Sequence, residues 1–200
     1  MLALCLPRPA AHDFANPFAW DAAYASSGCP PAEWLLPYSA LRPLLLELLP
    51  SSRAAPVLEI GCGTSALAAQ LCADGFTELT ACDASRVAVE ASRRAFAHVA
   101  SLRVVREDAR EMSFADGSFC AAVDKGTLDA ICSAEGYDYE AARVAAELVR
   151  VLRPRGRWVC VSLMPPAVLL PIMEREEWGG SLRLERRVGG HYVYAAERRG

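Results

Sequence analysis

The chain predicts an α/β fold: a doubly wound, mostly parallel seven-stranded sheet that finishes in an antiparallel hairpin. Three observations carry that expectation. From Pro56 onward, short apolar runs alternate with segments of helical periodicity. The first five runs are four to seven residues long and rich in Val, Leu, Ile or Cys, as strands covered on both faces are. The last stretch instead alternates apolar with charged residues around Gly189-Gly190, the pattern of a half-buried hairpin.

Taken in order, the strand runs are 57–60, 79–82, 102–105, 119–123 and 157–163. Between them, 66–73 is rich in Ala and Leu and stops at Gly75. Residues 85–99 open on Ser85, a good N-cap, and carry Ala88, Ala91, Ala95 and Val99 on one stripe. Residues 139–152 place Ala142, Ala145, Val149 and Leu152 at helical spacing and end against Pro154 and Gly156. Strand, helix, strand in succession implies right-handed crossovers. Leu182, Leu184 and Val188 then form one arm of the hairpin and 191–196 the other. Ahead of this unit (54–200), residues 1–53 read as an irregular N-terminal arm or helical lid bearing Phe14, Phe18, Trp20, Tyr24, Trp34 and Tyr38.

Composition narrows the function. Two hundred residues fit one domain with a short appendage, and 53% hydrophobic residues supply a core. A net charge of −3, with no Lys/Arg run longer than two, points away from nucleic acid. The longest apolar stretch, 41–49, is interrupted by Arg42, Pro43 and Glu47, too short for a membrane span. Eight cysteines form no C-x-x-C and three histidines supply no spaced partner, so no metal site is expected and the thiols read as core residues of a reducing compartment. The first dozen residues carry no clear targeting signal, which makes a cytoplasmic location the expectation. Basic residues are lopsided: twenty Arg and a single Lys, Lys125. Nothing in the pattern sets an oligomeric state.

The chemistry gathers at the strand ends, where a doubly wound sheet binds its ligands. The first strand runs into Gly-Cys-Gly-Thr-Ser-Ala, residues 61–66. Gly61 and Gly63 let a ligand approach the backbone, and the helix that follows offers free N–H groups. Asp83 lies twenty residues after Gly63, at the end of the second strand, placed for a ribose diol. An adenosine-bearing cofactor follows, and Glu59 bears on which one. A carboxylate two residues before Gly61 disfavours the pyrophosphate of NAD and favours S-adenosyl-L-methionine, which carries an ammonium and a sulfonium. The Tyr-x-x-x-Lys pair of short-chain dehydrogenases is also missing, since Ala121 stands four residues before Lys125. Asp108 with Ala109 follows the third strand, placed to reach an adenine amino group, and Asp124 follows the fourth.

The segments Val-Leu-Glu-Ile-Gly-Cys-Gly-Thr-Ser (57–65), Ala-Cys-Asp-Ala-Ser (81–85), Glu-Asp-Ala-Arg (107–110) and Asp-Lys-Gly-Thr-Leu-Asp-Ala (124–130) resemble the ordered motifs of the Rossmann-like class I S-adenosylmethionine-dependent methyltransferases. The last motif resembles the protein-lysine methyltransferases that act on translation elongation factor 1-alpha and their relative acting on citrate synthase. A W-D-x-x-Y element precedes the domain in that group, and Trp20, Asp21 and Tyr24 match it. Two departures stand beside the match: Ala23 replaces the Arg usual in that element, and Trp34 has lost its flanking aromatics. The resemblance spans roughly residues 18–196. It implies that Trp20, Tyr24, Trp34, Gly61, Asp83, Ala84, Asp108, Ala109 and Lys125 line the cofactor site.

Methyl transfer from a sulfonium is an in-line displacement, so the protein mainly aligns the reactants and excludes water. A lysine nucleophile must first lose a proton, at about 4–5 kcal/mol from its reference value at neutral pH. Asp124 and Asp129 are the expected catalytic pair, recognising the ammonium, with Asp124 taking its proton. The expected partner is a protein presenting a lysine. The competing readings are a methyltransferase of small molecules, a non-catalytic scaffold and an NAD-binding protein.

Overall fold

The computed structural model describes residues 14–26, 33–133 and 137–200; Cys5 and Cys29 lie outside them. Seven strands form one sheet: β1 (Val57–Ile60), β2 (Leu79–Asp83), β3 (Leu102–Arg106), β4 (Phe119–Lys125), β5 (Leu152–Ser162), β6 (Arg183–Val188) and β7 (His191–Glu197). The order is β3-β2-β1-β4-β5-β7-β6, parallel through β5. β7 is antiparallel both to β5 and to β6, so the hairpin inserts its second strand next to the parallel core and leaves its first at the edge.

Helices cover both faces. On one lie α2 (Tyr38–Leu48), α3 (Leu67–Ala73) and α4 (Arg86–Ala95); on the other lie α5 (Thr127–Ile131), α6 (Tyr137–Val151) and α7 (Pro166–Met173). A further helix, α1 (Pro17–Ser26), runs over α4. Strand alternation divides the core accordingly. Val57, Ala121 and Val123 pack toward α2 and α3, whereas Leu58, Ile60 and Ala122 pack toward α5 and α6.

Several local readings differ from the structure, among them the fifth strand, which begins at Leu152 rather than 157 and runs through Pro154 and Gly156. The 38–48 segment is a helix that runs through Pro43. The lost N–H is outweighed by burial of Leu41, Leu44, Leu45 and Leu48, a stripe at i, i+3, i+4 and i+7 that joins the sheet's core. α4 ends at Ala95 instead of Val99, and its buried face is Ala88, Val89 and Ser92. Ser92 is drawn inward because its hydroxyl donates to the Gly63 carbonyl at 2.8 Å. α6 begins two residues early, at Tyr137. Among the described residues no group of His, Cys, Asp or Glu is arranged to hold a metal, and no helix is long and apolar enough to cross a membrane.

Candidate active site

The β1–α3 loop is shaped by its two glycines. Both sit in the left-handed region, at φ +59° for Gly61 and +53° for Gly63. A Cβ on Gly61 would stand 1.9 Å from Thr127 Oγ1, and one on Gly63 would stand 2.5 Å from Tyr24 Oη. The backbone is thus pressed between α5 and the N-terminal helix, and only glycine fits.

Beyond this loop, at the carboxyl ends of β1, β2, β3 and β4, opens a cavity of about 330 Å³. Trp20, Tyr24 and Trp34 form one wall, with ring centroids 5.6–5.7 Å apart, and Phe14 extends it 5.6 Å from Trp20. Gly61, Gly63, Asp83, Ala84, Asp108, Ala109 and Lys125 line the rest, together with Asp129 and Leu163. The structure therefore brings together eleven of the thirteen residues singled out from sequence, from six separate segments.

The acidic groups are held differently from one another. Asp83 accepts from Gly63 N at 2.7 Å and from Ser85 N at 2.8 Å. Burial pushes its carboxyl up to about 6 against those two bonds. Its remaining lone pairs face the cavity, since a carboxylate has about four acceptor positions. Asp108 grips the Arg110 guanidinium at 2.6 Å and 2.8 Å, and Arg110 reaches on to Glu140 at 3.2 Å. Asp129 uses Oδ1 to accept from Ser162 Oγ at 3.0 Å and from Leu163 N at 2.8 Å. Its Oδ2 is buried with no hydrogen-bond partner. Burial raises the Asp129 carboxyl above the usual range.

Two acids are placed otherwise than expected. Glu59 does not stand at the mouth of the loop. It is buried behind it on the α2/α3 side, and its Oε2 accepts from Ala68 N at 3.1 Å. Burial pushes this carboxyl up to about 8, opposed by the charge of Lys125. Asp124 does not look into the cleft. It is fully buried, with Oδ1 accepting from Thr127 N at 2.9 Å and Oδ2 meeting Cys160 Sγ at 3.6 Å. Burial, then the neighbouring Asp129, push its carboxyl up to about 7.

Residues 57–156, half of the chain, match the family model described as a methyltransferase domain. The chain belongs to that family. This methyltransferase is 35% identical to the eEF1A lysine methyltransferase 4 of Bos taurus over 174 residues, 82% of this chain and 67% of that protein. It is 33% identical to the eEF1A lysine and N-terminal methyltransferase of Danio rerio, spanning 92% of this chain but only 26% of that one. Among solved structures, the PH0226 protein of Pyrococcus horikoshii superposes with a TM-score of 0.64 at 19% identity, over 81% of this chain and 89% of that one. The [4+2]-cyclase SpnF superposes at 0.61 and 19%, over 87% and 70%. The fold thus hosts more than one chemistry, and the site must carry the functional argument.

Two residues of this methyltransferase organise the site without being legible as site residues. Asp21, inside the W-D-x-x-Y element, accepts from Ser85 Oγ at 2.5 Å and from Val87 N at 3.1 Å, pinning α1 to the N-terminus of α4. Burial acts to raise its carboxyl, but the Ser85 and Val87 donors outweigh it and hold it low. Glu33 accepts from Ser65 Oγ at 3.1 Å, Ala66 N at 2.9 Å and Lys125 Nζ at 3.1 Å, while Lys125 also donates to Trp34 O at 2.9 Å. Glu33 and Lys125 together fasten the aromatic wall to the glycine loop. Capping signals are local in sequence, and these partners lie 32 to 92 residues apart.

The position of Asp124 gives a sharp expectation. Asp124→Asn keeps an oxygen for Thr127 N and removes a buried charge, so the variant should fold and keep its cofactor affinity. Because the folded carboxyl sits near 7, well above its ordinary value, the wild type loses stability as pH rises from about 4 through 7. The Asn variant should lack that slope, about 1.4 kcal/mol per pH unit, and gain on the wild type toward pH 8. Asp124→Ala, which frees Thr127 N, should instead lose about 1–2 kcal/mol. Urea unfolding at pH 5 and pH 8 measures all three. A stability loss in Asp124→Asn at pH 8 would contradict the brace.

Proposed function

We propose that this methyltransferase uses S-adenosyl-L-methionine to N-methylate a lysine side chain of a protein, and that the target is elongation factor 1A, for which its relatives are named. The residues fit that cofactor. Gly61 and Gly63 present bare backbone to the cavity. Asp83 keeps acceptor capacity for a ribose diol, Ala84 and Ala109 offer flat apolar contacts, and the Trp20–Tyr24–Trp34 wall excludes water. When bound, the cofactor supplies a methyl group activated by the adjacent sulfonium.

The observation that carries the lysine reading is Asp129, which lines the cavity and whose buried Oδ2 has no hydrogen-bond partner. A buried acceptor without a partner costs about 1–3 kcal/mol, more when charged, so a donor is expected there. An ammonium supplies both donor and charge. Asp129, with Oδ1 fixed by Ser162 and Leu163, would hold that ammonium and orient its nitrogen. Desolvation in the cavity lowers the lysine pKa and eases loss of the proton to the carboxylate or to solvent. Asp124 is not assigned a part in this step, because its oxygens serve Thr127 and Cys160.

The test is transfer of labelled methyl from S-adenosylmethionine to purified elongation factor 1A, with mass spectrometry of the product. Label on one lysine is expected. Label confined to a small-molecule fraction of cell extract would move the assignment to a metabolite methyltransferase.

A further inference from the structure

Residues 163–173 read Leu-Met-Pro-Pro-Ala-Val-Leu-Leu-Pro-Ile-Met, eleven in succession without a polar side chain. Only part of this run enters the core. Leu169 and Met173 are buried, but Leu163, Pro165, Ala167, Val168 and Pro171 are exposed, Leu163 by 56% and Val168 by 39%. Ala167, Val168 and Pro171 share one face of α7, because residues three and four apart are neighbours on a helix. The outer face of a surface helix ordinarily carries polar residues, and this one carries none. A contiguous apolar surface of this kind marks a protein-binding site.

Its position says which protein. Leu163 belongs to the ledge and to the cavity wall at once. The ledge is also held rigidly at that end: Leu163 N donates to Asp129 Oδ1, Met164 N to Ser162 Oγ at 2.9 Å, and Tyr194 Oη to Met164 O at 2.6 Å. Across the cavity, Phe18 is 75% exposed and follows Pro17, another lining residue. Of the four large hydrophobic side chains exposed among the described residues, Leu163 itself lines the cavity, Phe18 follows a lining residue, and Val168 lies on α7 five residues beyond Leu163. A metabolite entering the cavity has no use for a surface that extends outward from it. A folded protein does.

We propose that the 163–171 ledge is the docking surface for the folded substrate protein, which seats an apolar patch there and passes its lysine over Leu163 to Asp129. This rests on the lysine-methylating reading above. A preformed ledge loses little conformational freedom on binding, so its contribution falls on substrate affinity rather than on the chemical step.

The experiment compares wild type with Val168→Glu, Val168→Arg and Ala167→Glu in steady-state methylation of folded elongation factor 1A. Affinity for S-adenosylhomocysteine and melting temperature are measured on the same preparations. All three variants should raise KM for the factor tenfold or more while kcat stays within twofold and product affinity and melting temperature hold. Val168→Leu should behave as wild type. An unchanged KM in a variant with wild-type melting temperature would overturn the ledge. So would a loss seen with one sign of charge only, which indicates electrostatic docking. A wild-type dimer dissociated by these substitutions would assign the ledge to a second copy instead. Failure of the underlying reading looks different: the wild type itself binds S-adenosylhomocysteine yet transfers no methyl to the factor.

Discussion

Lys125→Met should lower stability by about 1–3 kcal/mol at neutral pH, since it leaves the half-buried Glu33 carboxylate and the Trp34 carbonyl without their donor. The Lys125 side chain is 3% exposed and joins Glu33 and the Trp34 carbonyl, with buried Glu59 behind it. Methionine fills much of the same volume, so the loss isolates charge from packing. It should also depend on pH in a defined sense. The folded Glu59 carboxyl already sits near 8, above its unfolded value, so stability falls as pH rises from about 4.5 through 8. Without Lys125 that carboxyl moves higher still, and the fall continues past 8. The deficit of the variant should therefore be larger at pH 9 than at pH 6, by up to about 1.4 kcal/mol per pH unit. Adding Glu59→Gln to Lys125→Met should recover part of it. Denaturant unfolding across that range checks the result; a deficit independent of pH would show that Lys125 matters only to Glu33 and Trp34.

Asp129→Asn should reduce kcat/KM for the protein substrate by roughly 10- to 100-fold, the 1.5–3 kcal/mol of a hydrogen bond to a charged group. Asparagine can still accept from Ser162 Oγ and Leu163 N, so β5 and α7 should keep their places. It replaces Oδ2 by an amide N–H₂ and removes the charge that would hold an ammonium. The deficit should shrink as pH approaches about 10.4, where half of the free lysine amine is neutral. A merely structural role for Asp129 would leave the deficit flat with pH and lower the melting temperature. Kinetics between pH 7 and 10 on a preparation of known melting temperature separate the two.

The sheet and the glycine loop were legible because both follow local rules: apolar runs with turn signals between them, and a loop only glycine can make. The cavity wall was legible only as far as motifs reached it. What failed was direction. Along β4, Ala122 and Asp124 share one face and Val123 and Lys125 the other. Counting that alternation places Asp124 under α5, with Lys125 on the Glu33 side. The same count sends Glu59, two residues from Val57, to the Lys125 side. Reading both acids as strand-end groups pointed at the ligand overlooked the two-residue period of a strand. Glu33 and Asp21 escaped for another reason: they cap helices across distances that no periodicity spans. α2 escaped because Pro43 argues against helix locally, and only the core it meets reverses that.

The burial of Lys125 has a consequence for the enzyme as its own bystander. A methyltransferase that modifies lysines, as proposed above, would meet copies of itself as well as its substrate. Within these 200 residues there is one lysine, and it is enclosed by Glu33, Trp34 and the glycine loop. The exposed cations are all arginines, whose guanidinium keeps its proton and so offers no free amine. Self-methylation of lysine has no accessible acceptor among these residues.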